Sequence, residues 1–214
     1  FDLKTDDINQ IFVNVQTTYS RELRKMNKYV SFDKSDKKYQ EEDIEGSNEI
    51  INSKENFIIH GIPTSGKTLF LKRIGIKALN QKNIKPNAVF YFDLQKHKAK
   101  HFDIKNLIIT QYEELTKDDD FNPDEYLKII LLLDSIDLVS DDEVKDEIYK
   151  AIGEFVKTDS TNQYQIVIAT RNHHYIRNKK LLEGFNDTEL LPFNFGQALQ
   201  LVKKIIPNNE KKSN

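Results

Sequence analysis

The sequence predicts an α/β fold in which a mostly parallel sheet is layered between helices. Three observations predict it. Apolar residues 57–59 lead into a glycine-containing turn at 61–66 and then into a helical pattern at 69–79. Two longer apolar runs, at 129–133 and 166–169, have no polar face, as strands buried on both sides of a parallel sheet require. Between these runs apolar residues recur at helical spacing, so strand and helix alternate.

The 214 residues suffice for one such domain with a small appendage. No apolar run approaches the roughly 20 residues needed to cross a bilayer, and no signal-peptide pattern opens the chain. Membrane partners are therefore set aside and a cytoplasmic protein is expected. The formal net charge of −2 argues against nucleic acid as a partner. The absence of cysteine excludes disulfides and thiolate metal sites and fits a reducing compartment. The chain begins at Phe1, and we read it as a piece of a longer protein.

Residues 1–46 form the first unit. Ile8, Ile11, Phe12 and Val15 have helical spacing, and Leu23, Met26 and Val30 repeat it. Two short helices beside the sheet are expected, followed by a charged connecting loop over 31–46. The core is placed at 47–206, and 207–214 is a polar tail.

The core opens on a strand at 56–60 and the run Gly61, Ile62, Pro63, Thr64, Ser65, Gly66, Lys67, Thr68. This is a G-x-x-x-x-G-K-T match in the strand–turn–helix context that gives it meaning. Glycines let the backbone turn tightly and approach an anion, while loop amides and the helix dipole attract phosphate. Lys67 is placed to reach the β- and γ-phosphates of a nucleotide, and Thr68 to hold its hydroxyl on Mg²⁺. The nucleotide-contacting run is taken as Gly61 through Thr68 together with Leu69.

A second strand is expected at 88–92 and a loop with a basic patch at 96–101. A helix follows with Ile104, Leu107, Ile108, Tyr112 and Leu115 on its apolar stripe. The run at 129–133 then ends in Asp134. Ligand chemistry in open α/β sheets sits at the carboxyl ends of strands, so Asp134 suits a Mg²⁺-holding role, directly or through water. Asp137 is the candidate to orient or activate the attacking water. Asp141 and Asp142 open a further helix. The strand at 164–169 ends in Thr170 and Arg171, and Arg171 is the candidate γ-phosphate sensor. His173 and His174 lack an acidic or thiolate cluster at ligand spacing, so no metal is expected there. A short last strand is expected at 189–191 and a closing helix at 196–206.

The glycine-lysine run at 61–68, the segment 131–137 ending in Asp134-Ser135-Ile136-Asp137, and the segment 166–171 together resemble the NTPase core of the STAND class, and within it the NACHT-like proteins. Phe193-Asn194-Phe195 and the helix after it look like that family's exit from the core. The resemblance implies a P-loop NTPase three-layer sandwich with a five-stranded, mostly parallel sheet in the ASCE/AAA-like order 5-1-4-3-2. It also implies ATP and ADP as ligands with Mg²⁺, and an ATP-dependent switch. ADP would hold a closed monomer, and exchange for ATP on sensing a ligand would drive homo-oligomerisation and signalling, often in immunity or antiviral defence. The sensed ligand and the effector are not named by this sequence. Leu138 follows Asp137 where the NACHT-like pattern carries an acidic residue, which implies slow hydrolysis. The helical lid and winged-helix regions have no counterpart here, and this piece is expected to be a monomer. Two alternatives stand beside the switch: an AAA-like ATPase acting on nucleic acid through the 96–101 loop, and a nucleotide-stabilised scaffold with little hydrolysis. The run at 169–173 lacks the Asn/Thr-Lys-x-Asp element that selects guanine.

Overall fold

The computed structural model describes residues 46–98, 101–159 and 161–192, together with Phe195 and Leu199. The expected lead-in helices, the centre of the 96–101 loop, Phe193-Asn194 and, Leu199 apart, the closing helix lie outside the described residues.

Strand and helix alternate as β1 (Asn56–Gly61), α2 (Lys67–Leu79), β2 (Asn87–Asp93), α3 (Ile104–Thr116), β3 (Lys128–Asp134), α4 (Asp142–Thr158), β4 (Tyr164–Arg171), α5 (Asn172–Asn178) and β5 (Phe185–Glu189), preceded by α1 (Gly46–Asn52). The five strands form one parallel sheet in the order β2-β3-β4-β1-β5, which is the expected 5-1-4-3-2 read from its other edge. β4 is thus inserted between β1 and β3, pairing Gly61 with Arg171 and Leu133 with Ile168.

Alternation along each strand divides the core into two layers. Phe57, Ile59, Ile130, Leu132, Val167 and Ala169 face α1 and α2, where they meet Ile50, Phe70, Leu71 and Ile74. Ile58, Phe90, Leu131, Leu133, Ile166 and Ile168 face the opposite way, toward Ile108, Ile148, Ile152 and Tyr175 of α3, α4 and α5. Both faces of the central strands are therefore dry, which explains their uninterrupted apolar sequences.

Helix starts follow local chemistry. Asp103 caps α3 by accepting from the backbone N–H of Lys105 and Asn106, and Asp141 caps α4 by accepting from Glu143 and Val144. Glycine allows one close approach elsewhere: a Cβ on Gly153 of α4 would lie 2.3 Å from the Leu181 carbonyl oxygen.

Two expectations shift. The core was expected to open on the strand at 56–60, yet residues 46–52 form a helix ahead of it, α1, with Ile50 and Ile51 buried. Its last carbonyls are satisfied from the sheet. Lys128 Nζ donates to Ile51 O and Ser53 O, and Gln165 Nε2 donates to Ile50 O and Glu55 O. The last strand is Phe185–Glu189 rather than 189–191. It is an edge strand with one fully buried residue, Thr188, so its sequence is polar, whereas Leu190 is apolar because it closes the core layer beneath α2.

Candidate functional site

The carboxyl ends of β1, β3 and β4 converge on one edge of the sheet. The loop after β1 is shaped by two residues in the left-handed region, Thr64 (φ 64°) and Gly66 (φ 89°). A side chain at Gly61 would crowd the turn, because its Cβ would lie 2.9 Å from Ser65 Oγ and 3.1 Å from the Leu190 carbonyl oxygen. The loop delivers the chain into α2 at Lys67. No side chain caps that helix start, so its first amides and its positive dipole end face the loop. Lys67 curls back over the turn, donating to Gly61 O at 3.1 Å and Ile62 O at 2.8 Å, with Ser65 Oγ at 3.4 Å. Thr68 and Leu69 follow in the first turn of α2, Thr68 exposed and Leu69 packed on the core layer beneath. Ile62, Pro63 and Thr64 form the exposed tip.

Asp134 is the last residue of β3 and is buried. Its Oδ1 accepts from the Ser135 backbone N–H at 2.9 Å and its Oδ2 from the Tyr91 hydroxyl at 2.8 Å. Ser135 takes a left-handed conformation (φ 61°) that turns the chain into a short 3₁₀ turn, Ile136–Leu138. This turn points Asp137 back across the strand ends, where its Oδ2 meets Arg171 Nε at 2.9 Å. Arg171 is the last residue of β4 and pairs in the ladder with Gly61. The four residues assigned chemistry from sequence, Lys67, Asp134, Asp137 and Arg171, therefore occupy one electrostatic neighbourhood.

The donors fit a phosphate group. Uncapped helix amides, a left-handed glycine and an ammonium resting on backbone carbonyls form a cationic cradle, with carboxylates beside it for a metal. Among the described residues, no three His, Cys, Asp or Glu gather where a metal ion could sit. A Mg²⁺ ion at Asp134 would draw its other ligands from phosphate, the Thr68 hydroxyl and water, which is how this ion is usually held beside nucleotides.

The NACHT domain family matches residues 55–209, most of the chain. The chain belongs to the NACHT family. Among solved structures, this NACHT domain is similar to the Aeropyrum pernix ORC1 protein in complex with DNA, at TM-score 0.51 and 13% identity over 93% of this chain and 50% of that one. Two others are the closed-state reconstruction of Hsp104 with ATPγS and FITC casein (TM-score 0.48, 18% identity, 78% of this chain and 29% of that one) and Saccharomyces cerevisiae RIF2 (TM-score 0.44, 13% identity, 91% and 70%). The chain spans half the length of the ORC1 chain, and at these identities the likeness speaks for the fold alone. No relative of curated function matches. Family and fold together make this a nucleotide-binding P-loop NTPase domain.

Electrostatics in the NACHT site follow from its burial. Loss of water lowers the Lys67 pKa from the usual lysine range; Asp137 and Asp134 oppose that shift, and Arg171 adds to it. Burial, the Asp134 charge and the hydrogen bond to it push the Tyr91 phenol well above the tyrosine range. Tyr149 of α4 lies buried with its hydroxyl 3.4 Å from Thr170 Oγ1, and burial raises its pKa to about 12. His174 is held below the usual histidine range by burial, with the neighbouring His173 and Lys145 charges adding to the effect.

Sequence reasoning missed three polar residues around this NACHT site. Tyr91 was read only as part of a strand, although its alternation with Val89 placed it on the face that carries Asp134. Tyr149 lay among apolar helix positions. His60, one residue before the loop, stacks on Tyr175 at 4.6 Å between ring centroids, and its Nδ1 sits 3.1 Å from Asn172 Oδ1. Among the described residues no helix is long and apolar enough to cross a membrane.

Proposed function

We propose that this NACHT domain is an ATP-binding, slowly hydrolysing molecular switch whose nucleotide state controls homo-oligomerisation of a larger cytoplasmic signalling or defence protein. Residues 47–206 are its switch core. The observation that carries the reading is the Arg171–Asp137 ion pair at the mouth of the phosphate cradle. The residue suited to sensing a γ-phosphate is bound to the residue suited to orienting water, so neither acts until a third partner of matching charge competes for Arg171. ADP lacks the phosphate that could compete, and ATP carries it.

In this reading Lys67 and the backbone N–H groups of the Gly61–Thr68 run, Pro63 excepted, hold the phosphates, while Thr68 and Asp134 hold Mg²⁺. The metal, when bound, neutralises phosphate charge. Arg171 reports the third phosphate, and Asp137, once released, orients water. Leu138 supplies no second carboxylate beside Asp137, which fits slow turnover. The net charge of −2 gives the nucleic-acid alternative no support, and the ORC1 likeness extends to the fold alone.

The test is to denature freshly purified protein, identify released nucleotide by chromatography, and titrate ATP, ADP and GTP with Mg²⁺ against wild type and Lys67→Ala. Adenine preference with binding lost in the variant is expected. Equal binding by both proteins would overturn the assignment of the cradle. Light scattering of the longer protein with ATP and with ADP tests assembly, which is expected with ATP only.

A further inference from the structure

The Asp134 carboxylate is held at both oxygens before any ligand arrives. Oδ1 accepts from the Ser135 N–H at 2.9 Å and Oδ2 from the Tyr91 hydroxyl at 2.8 Å. A carboxylate has about four lone-pair positions, so one on each oxygen remains for another partner. The Ser135 contact alone would leave the group free to pivot about that bond. The phenol removes this freedom and fixes the plane in which the remaining lone pairs lie.

Tyr91 is itself held from three directions. On β2 it lies opposite Leu132 in the parallel ladder, and the next residue on its face, Asp93, lies opposite Asp134. Its ring therefore reaches along the sheet toward the carboxyl edge. Gln111 Nε2 from α3 donates to its backbone carbonyl at 3.2 Å. Lys72 Nζ from α2 lies 5.6 Å from the ring centroid, within the range of a cation–π contact. Because Lys72 sits on the helix that begins with Lys67, the phenol bridges the phosphate-binding helix and the metal-binding carboxylate.

We propose that Tyr91 is a positioning residue for the divalent cation that accompanies the nucleotide, acting through its hydrogen bond to Asp134. This inference rests on the nucleotide reading of the site. Outer partners that orient a metal ligand commonly account for about tenfold or more in metal affinity. The phenol should therefore set how much Mg²⁺ the site needs, while leaving the contacts between phosphate and the loop unchanged.

The experiment measures binding of ATP to wild type and Tyr91→Phe by calorimetry, first in EDTA and then across a Mg²⁺ titration, with thermal melting as a fold control. The expected result is equal affinity in EDTA, a single cooperative melt at a somewhat lower temperature because the buried carboxylate loses one donor, and a Mg²⁺ midpoint raised about tenfold in the variant. An unchanged or lowered midpoint overturns the inference and leaves the nucleotide reading standing. Equal losses with and without Mg²⁺ overturn it too, because the ring would then only prop the loop. If wild type binds no ATP under either condition, the nucleotide reading fails and takes this inference with it.

Discussion

Arg171 and Asp137 are joined at 2.9 Å across the ends of β4 and β3, with the carboxylate side chain only 6% exposed and the guanidinium side chain 37% exposed. Removing the arginine strands a buried carboxylate. We expect Arg171→Ala to lower stability by about 1–3 kcal/mol, less than a fully buried pair would lose because the arginine stays partly hydrated. The double variant Arg171→Ala/Asp137→Ala should recover part of that loss. Urea melts of both singles and the double give the coupling directly, and additive effects would mean that the pair contributes nothing.

Lys67→Ala should leave the fold intact and weaken ATP binding about 10- to 100-fold, the span expected for losing a charge-assisted hydrogen bond. Lys67 donates only to loop carbonyls and Ser65 in the free protein, so its removal strands no buried partner charge. Titration calorimetry paired with a thermal melt separates the two effects.

ATP binding should weaken as pH rises toward 10.5. Burial lowers the Lys67 pKa in the free domain, so some molecules lose the ammonium before an exposed lysine would. A bound phosphate favours the charged form and raises that pKa, so binding in this window takes up a proton. Affinity is full below the lowered value and declines as pH climbs through it. Binding measured in buffers of different ionisation enthalpy should reveal the proton uptake, and a pH-independent affinity would contradict it.

Tyr149 should contribute to alkaline unfolding. Its pKa rises from 10.0 to about 12 in the fold, so between these values the unfolded chain ionises while the folded one retains the proton. Stability is therefore full below pH 10 and falls as pH rises toward 12. Tyr149→Phe should flatten that part of the stability–pH curve in chemical denaturation. A curve unchanged in slope would exclude Tyr149 as a source.

Gly153→Ala tests packing away from the site. Its new methyl would meet the Leu181 carbonyl oxygen at 2.3 Å, a backbone atom that cannot rotate aside. A loss of about 1–3 kcal/mol is expected in denaturant melts, with ATP affinity unchanged.

The parts legible in the sequence are those where one physical demand dominates a short stretch. The turn at 61–66 needs glycine, and the runs before Asp134 and Thr170 are dry on both faces, so the first charged residues after them, Asp134 and Arg171, mark the strand ends. The contacts between those residues were not legible. The Asp137–Arg171 pair depends on the left-handed turn at Ser135, and the Tyr91–Asp134 bond depends on which strand lies beside β3. α1 escaped because two isoleucines among polar residues give no periodic signal; the helix is held by Lys128 and Gln165, which lie far along the chain. β5 was displaced toward Leu190 because an edge strand does not need an apolar run.

The position of β1 has a consequence for synthesis. The strand that carries the loop is the first in the sheet to leave the ribosome, yet its two neighbours, β4 and β5, are the last. Gly61 waits for Arg171, and His60 waits for Glu189. A nascent chain stalled before β4 has Lys67 and Asp134 already made but no strand to hold them side by side. The cradle therefore matures only once β4 has been made and docked between β1 and β3, and a chain cut short before β4 cannot hold it together.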